Sequence, residues 1–303
     1  MDKQEVLLAE VHDAFGLIRV LEVGDYRFLE FGAAVEQSCT FTRDPSWLEY
    51  DYTRAMLMGG LLHAAPETAL FLGLGAGTLT QACLEVLPLE DVEAIELRPD
   101  VPELAMRYMG LQNDSRLYIR IGDAVELLDA AETADLIFVD LYTDVGPAAA
   151  HLAWRFLQSC QQKLSPDGWL IINQWGTDED KPLGAALLRG LFHRHYWECP
   201  VKEGNVILFV PADLEQTLDE AGLRGFLANT VFGFYAPAGT PPEVVAQLNA
   251  QINRALALPA VKERIASLGG EAVPGTPAEF QKRAAADSQR FGALIRERRI
   301  AAD

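Results

Sequence analysis

The sequence predicts an α/β protein: a small N-terminal antiparallel β-section over residues 1–45, a doubly wound Rossmann-like domain over residues 46–213, and a mostly helical tail over residues 214–303. Three observations carry this reading. Apolar residues alternate in period two through the opening section. From Ala69 onward, short apolar runs alternate with amphipathic stretches, as in a parallel sheet covered on both faces. Composition then breaks near Asp213. The tail from Leu214 holds ten acidic and ten basic residues, so the net charge of −19 belongs wholly to the first part, which also holds all five Trp, all five His and all four Cys.

Taken in order, Leu17–Val23, Arg27–Phe31 and Val35–Phe41 read as strands of a meander, with turns at Gly24-Asp25 and Gly32. Asp44-Pro45-Ser46 is expected to start a helix running through Trp47, Tyr50, Arg54 and Leu57 to Leu62. The strands of the α/β domain are ALFLGLG, DVEAIEL, RLYIRIGD, ADLIFVDL and GWLIINQ, with helices from about Thr78, Pro99, Ala124 and Pro147. A helix over Lys181–Phe192 and a strand over Asn205–Val210 complete that domain. In the tail, Thr240 is expected to cap a helix over Glu243–Leu256, followed by helices over Val261–Leu268 and Pro277–Arg298.

The first chemistry-bearing feature is Gly73-Leu74-Gly75-Ala76-Gly77, between an apolar strand and a helix. Glycines allow close backbone approach to a ligand, and a helix N-terminus offers free N–H groups. A dinucleotide fingerprint would space its glycines GxGxxG, whereas Thr78 follows Gly77 here. The same pattern also suits a plain tight strand–helix turn. Glu96 ends the next strand, where an acid can accept both ribose hydroxyls. Asp123-Ala124 follows the third strand, and its Asp either accepts an adenine amino hydrogen or caps the next helix. Asp140 ends the fourth strand, at the edge where open α/β sheets place ligands.

These residues resemble the spermidine synthase (polyamine aminopropyltransferase) family over roughly Gly16–Val210, and the GxGxG loop is similar to the S-adenosyl-ligand loop of class I methyltransferase-fold enzymes. The segment DLIFVDLYTDVGPA at Asp135–Ala148 looks like the family's DLIIVDSSDPVGPA without a gap. The resemblance implies a class I S-adenosylmethionine-dependent methyltransferase fold and transfer of an aminopropyl group from decarboxylated S-adenosylmethionine to an amine. It implies that Asp140 is the base and that Tyr52 shapes the acceptor pocket. Gln37 and Glu96 would contact the ribose, Asp123 and Ala124 the adenine, and Gly73, Gly75 and Gly77 the ligand backbone. Thr143 and Asp144 fall on the acceptor side, and Tyr142, next to Asp140, either lines the pocket or serves structural packing.

The departures concern that side. The family's GGGDG loop has Ala76 where its Asp helps hold the aminopropyl amine, and the second Asp of DSSDP is Thr143, with Asp144 beside it. Its Tyr-His-Glu becomes Tyr52-Thr53-Arg54, and its tyrosine-rich PTYPSG-like segment becomes CPVKEGN. Losing two anionic contacts and gaining Arg54 in a desolvated site would disfavour a diamine.

The tail resembles something different, the C-terminal segment of tripartite tricarboxylate transporter solute-binding proteins. TLDEAGLRGF at Thr217–Phe226, the block from Phe232 through APAGTPPEVV, Thr276-Pro277-Ala278-Glu279-Phe280 and Ile300–Asp303 carry that likeness. It amounts to the last fraction of a two-lobed binder, so the chain reads as a domain fusion whose tail is not expected to bind carboxylates.

The acidic first part disfavours nucleic-acid binding, and no apolar run approaches the roughly 18 residues needed to span a bilayer. MDKQEVLLAE lacks the basic-then-apolar order of a signal peptide, and Cys39, Cys83, Cys160 and Cys199 are scattered without CxxC pairing, so a cytoplasmic protein with reduced thiols is expected. The five His show no HxxxH or HExxH spacing, and no metal is expected. The leading expectation is therefore aminopropyl transfer to a small-molecule amine. Methyl transfer from S-adenosylmethionine is the second reading, and a catalytically silent nucleoside-binding scaffold the third, with a homodimer through the N-terminal strands as the candidate assembly.

Overall fold

A computed structural model of the chain describes residues 5–32, 35–143, 146–148, 153–193, 195–215, 233, 236–237, 239–266, 272–285 and 288. Contacts divide it into two units, Met1–Leu223 and Arg224–Asp303.

The first unit opens with an antiparallel meander of four strands in sequence order, β1 (Glu5–Asp13), β2 (Gly16–Val23), β3 (Tyr26–Phe31) and β4 (Val35–Phe41). The sequence reading missed β1, a mostly exposed edge strand whose alternation is blurred because one face meets water and the other is only partly covered. Ile18, Val20, Leu29 and Phe31 of the meander pack against Ala76, Val101, Leu104 and Met109. The meander thereby lies over the glycine loop.

Asp44–Ser46 does not begin a helix. The Asp44 carboxylate accepts from both the N–H and the hydroxyl of Ser46, closing a local turn that competes with helix formation. The helix α1 instead covers Asp51–Gly60. After it come β5 (Thr68–Leu72), α2 (Thr78–Val86), β6 (Asp91–Glu96), α3 (Asp100–Leu104), β7 (Leu117–Ile121), α4 (Ala124–Leu127) and β8 (Ala134–Val139). The helix expected from Pro147 starts at Trp154, because Gly146–Pro147 (β10) pairs with Tyr142–Thr143 (β9) in a short hairpin. The rest of the unit is α5 (Trp154–Gln162), β11 (Leu164–Trp175), α6 (Ala185–Phe192), β12 (Trp197–Pro200) and β13 (Asn205–Pro211).

These strands form a seven-stranded sheet of order β12-β13-β11-β8-β5-β6-β7, parallel except where β13 runs against β11 and β12. Strand alternation explains its two cores. Leu70, Ile137, Leu170 and Leu208 point to one face; Phe71, Phe138, Ile171 and Phe209 point to the other, where the Phe71 and Phe138 rings stack at 4.6 Å. From central β5 the chain moves outward through β6 and β7, then returns to β8 on the other side of β5. That reversal between β5 and β8 is a topological switch point, where ligands bind beyond the carboxyl ends of the strands.

In the second unit, α7 (Pro242–Ala257) is followed by α8 (Pro259–Ala266), and residues 277–285 are helical. Thr240 does not cap α7; its hydroxyl donates to the carbonyl of Pro237, and Pro241 takes the cap position. Thr276 and Glu279 form a reciprocal capping box for the helix at residue 277. Asn253 holds Gly275 by both backbone groups, donating to its carbonyl at 2.9 Å and accepting from its N–H at 3.1 Å. No residue of α7 is buried. Within the tail likeness, Thr217–Phe226, Phe232 and Ile300–Asp303 lie outside the described residues.

Candidate active site

The glycine loop leaves β5 on one side of the switch point and Asp140 leaves β8 on the other. The two are bonded directly, since the Asp140 N–H donates to the Leu72 carbonyl at 2.9 Å. Gly73 (φ 95°) lies so close that a Cβ there would collide with the Asp140 carbonyl oxygen. At Gly75 (φ 55°) a Cβ would lie 2.6 Å from the Ser38 hydroxyl oxygen. That hydroxyl accepts from the Ala76 N–H at 3.1 Å, so β4 braces the loop from above. Gly77 (φ 76°) is the residue from which α2 starts. These glycines are demanded by backbone shape, and they leave the loop narrow enough for a ligand to lie against it.

Glu96 is nearly fully buried. One of its carboxylate oxygens accepts from the Leu74 N–H at 3.0 Å and the other from the Arg98 N–H at 2.9 Å. Burial raises its pKa and those N–H groups oppose the rise. A carboxylate offers about four acceptor positions, so Glu96 can brace the loop and still receive a ribose hydroxyl. Asp123 caps α4, accepting from the Val125 N–H at 2.8 Å, and Ala124 beside it is buried. The cap reading of Asp123 is therefore realised. Gln37 is half-buried on β4, next to Ser38.

Beyond the carboxyl end of β8, burial pushes the Asp140 carboxyl up to about 6, opposed by a hydrogen bond from Asn173. Burial raises the phenols of Tyr52 and Tyr142, and in both the Asp140 charge adds to the rise. Asp140, Tyr52 and Tyr142 are thus gathered at one place from β8, α1 and β9. Tyr50 stacks on Tyr52 with centroids 5.8 Å apart, and Trp175 stands 6.4 Å from Tyr142. Aromatic faces beside a carboxylate suit a protonated amine. Thr143 donates its hydroxyl to the Gly146 carbonyl at 3.0 Å within the hairpin. Asp144 lies outside the described residues.

Two departures look different in three dimensions. Arg54 is not a desolvated pocket cation. Its guanidinium donates to the Leu48 carbonyl and to Asp51, lies 5.3 Å above the Trp47 ring, and its side chain is 43% exposed. The CPVKEGN segment forms the turn between β12 and β13, and there Glu203 accepts from the Asp51 N–H at 2.9 Å. An acid absent from the sequence reading thus stands beside Tyr52, whose phenol its charge also raises. Ala76 is 1% exposed among apolar neighbours, so no charge replaces the family's loop Asp at that point.

Residues 51–182 match the spermine/spermidine synthase domain. The synthase-like unit is 27% identical over 215 residues to a polyamine aminopropyltransferase of Vibrio vulnificus, covering 68% of this chain and 72% of that one. It is 28% identical over 205 residues to an eEF1A lysine and N-terminal methyltransferase of Xenopus laevis, covering 61% of this chain and 30% of that protein. A solved spermidine synthase in complex with the transition-state analogue AdoDATO shares the fold, with a TM-score of 0.56 and 17% identity over 80% of this chain and 88% of that one. Both sequence relatives are transferases. Residues 211–300 match the tripartite tricarboxylate transporter family receptor.

The sequence reading also missed Ser38, Asn173, Asn205 and the group His63, Asp135 and Asp167. The last three bring ligand-type atoms within 4.8 Å of one another. They stand at the amino-terminal ends of β8 and β11, away from the switch point, and the Asp135 oxygens already accept from Glu67, Thr68 and Ser165.

Proposed function

We propose that the synthase-like unit binds decarboxylated S-adenosylmethionine across the glycine loop and Glu96, and transfers its aminopropyl group to a small amine. Gly73, Gly75 and Gly77 would hold the ligand backbone, Gln37 and Glu96 its ribose, and Asp123 with Ala124 its adenine. The observation that supports this most is Asp140, a carboxylate at the switch point raised to about 6 and flanked by Tyr52 and Tyr142. At neutral pH it is mostly ionised yet close to its own titration, the condition for an efficient general base.

The acceptor arrives as an ammonium ion, attracted by the Asp140 carboxylate and the tyrosine faces. Asp140 takes a proton from it. The freed nitrogen lone pair attacks the aminopropyl carbon attached to the sulfonium, the carbon–sulfur bond breaks, and its electron pair stays on sulfur as methylthioadenosine leaves. Tyr142, Thr143 and Asp144 belong to the acceptor side in this reading. The reaction would take place in the cytoplasm, in keeping with Cys39, Cys83, Cys160 and Cys199, all free thiols.

A specific observation favours methyl transfer as the second reading. The buried apolar Ala76 presents no anion to repel the carboxylate of unmodified S-adenosylmethionine. Incubation with putrescine and decarboxylated S-adenosylmethionine, followed by measurement of methylthioadenosine, tests the first reading. Product that disappears in Asp140→Asn supports it. Thermal stabilisation by ordinary S-adenosylmethionine alone, with no methylthioadenosine formed, would favour the second.

A further inference from the structure

Strand β11 is buried from Gly168 to Gln174, yet it carries an amide, Asn173, that is 2% exposed. A buried amide is costly unless its donors and acceptor are paired. The register sets Ile172 beside Val139, so Asn173 comes level with Asp140 at the end of β8. Its Nδ2 donates to Asp140 Oδ1 at 2.8 Å. On its other side, Oδ1 accepts from Asn205 Nδ2 at 2.8 Å. Asn205 Nδ2 also donates to the Tyr142 hydroxyl at 3.2 Å, and that hydroxyl donates to the Asn173 carbonyl at 3.3 Å.

The direction of this chain follows from chemistry. An ionised carboxylate can only accept, so the Asn173 nitrogen must face Asp140 and its oxygen must face away. Asn205 supplies the donor that makes this the one satisfied orientation.

We propose that Asn173 is a positioning residue: locked by Asn205, it aims the Asp140 carboxylate at the acceptor and ties the base to the Tyr142 wall as one rigid unit. This rests on the reading of Asp140 as base, and it adds two residues that act only through others. The groups facing Asp140 are Tyr52 from α1, Tyr142 from β9 and Asn173 from β11; Glu203 and Glu36 act on Tyr52. A hydrogen bond to the charged form favours that form, so losing it weakens the carboxylate's hold on its ionised state.

The test is a titration of Asp140 by carboxyl-carbon NMR in the unliganded full-length chain, with the resonance assigned by its loss in Asp140→Asn. Asn173→Ala is expected to move the midpoint upward by about one pH unit, and the acid limb of the pH–rate profile should move with it. Asn205→Ala, at a half-buried position, is expected to lower kcat several-fold while KM for the S-adenosyl ligand stays unchanged. Unmoved Asp140 titration in a folded Asn173→Ala protein overturns the proposal, as does unchanged kcat in Asn205→Ala. The titration does not depend on the reaction. Transfer that persists in Asp140→Asn would therefore sink the base reading, while the NMR midpoint still decides whether Asn173 positions the carboxylate.

Discussion

The guanidinium of Arg98 lies 2.7 Å from the carboxylate of Asp13, and both side chains are about 5% exposed. Arg98 follows Glu96 at the end of β6 and Asp13 ends β1, so one ion pair fastens the meander to the sheet. Arg98 also donates to the Gly16 carbonyl and stacks 4.3 Å from the Phe31 ring. Removing one partner of a buried pair strands the other charge, typically at about 3–5 kcal/mol. Arg98→Ala is expected to lose stability of that order by urea unfolding. The hydrogen bond from Arg98 holds the Asp13 carboxyl below its usual 3.8. Its contribution is therefore complete above that value and disappears as pH falls through the lowered one. Wild type should show this acid-dependent loss, and Arg98→Ala should not.

Gly75 faces Ser38 in the brace that holds the glycine loop. An alanine there must adopt φ near 55° and place its Cβ 2.6 Å from the Ser38 oxygen. The left-handed conformation alone costs about 1 kcal/mol. Gly75→Ala is expected to abolish the melting-point rise given by S-adenosyl ligands. Adding Ser38→Ala removes the clash but not the strain, so the double variant should regain part of the ligand response. Equal responses in the two variants would show that the brace does not shape the ligand cradle.

The parts legible in the sequence were those with a local signature. The strand–glycine–helix turn at Gly73–Gly77, the acids at strand ends and the fourth-strand Asp140 all announce themselves within a few residues. The partners that make them work do not. Three such pairs are far apart in the chain: Asn205 and Asn173 meet through the register of β13 on β11, whereas Asp13 and Arg98, and Ser38 and Ala76, meet where the meander packs on the loops of the seven-stranded sheet. Asn173 did leave a trace: two adjacent amides, Asn173 and Gln174, at the carboxyl end of the apolar run GWLIINQ are out of place in a buried strand unless something there needs them. Arg54 misled for the opposite reason. Its type implied a pocket cation, but the nearby Leu48 carbonyl, Asp51 and Trp47 claim its guanidinium first.

Asp140 should weaken the fold it serves. Its folded value of about 6 exceeds the ordinary 3.8, so the folded state binds the proton more tightly than the unfolded chain does. Any stability this gives is complete below about 3.8 and is lost as pH rises through about 6. At pH 7 the buried charge is uncompensated by that amount, at most about 3 kcal/mol. Asp140→Asn is expected to melt a few degrees higher than wild type at pH 7, with the difference vanishing near pH 4, while transfer is lost. A lower melting point for Asp140→Asn at pH 7 would contradict the burial cost. In wild type, kcat/KM should fall tenfold per unit below about pH 6 as the base protonates.

The tail gives the last prediction. Residues 211–300 match a receptor family, yet the match spans only that stretch, and α7 has no buried residue. A small carboxylate binds tightly where a concave site excludes water and presents converging donors. Two amides of α7 are turned to other work: Asn249 and Asn253 both donate to the Gly275 carbonyl, and Asn253 accepts from the Gly275 N–H. They fasten the start of the helix at residue 277. Isothermal titration of the full-length chain with citrate should therefore show no micromolar binding. Asn253→Ala should instead destabilise the second unit, read as faster amide hydrogen exchange across residues 242–285. Micromolar citrate binding that vanished in Asn253→Ala would show that this asparagine serves a ligand and not the helix start.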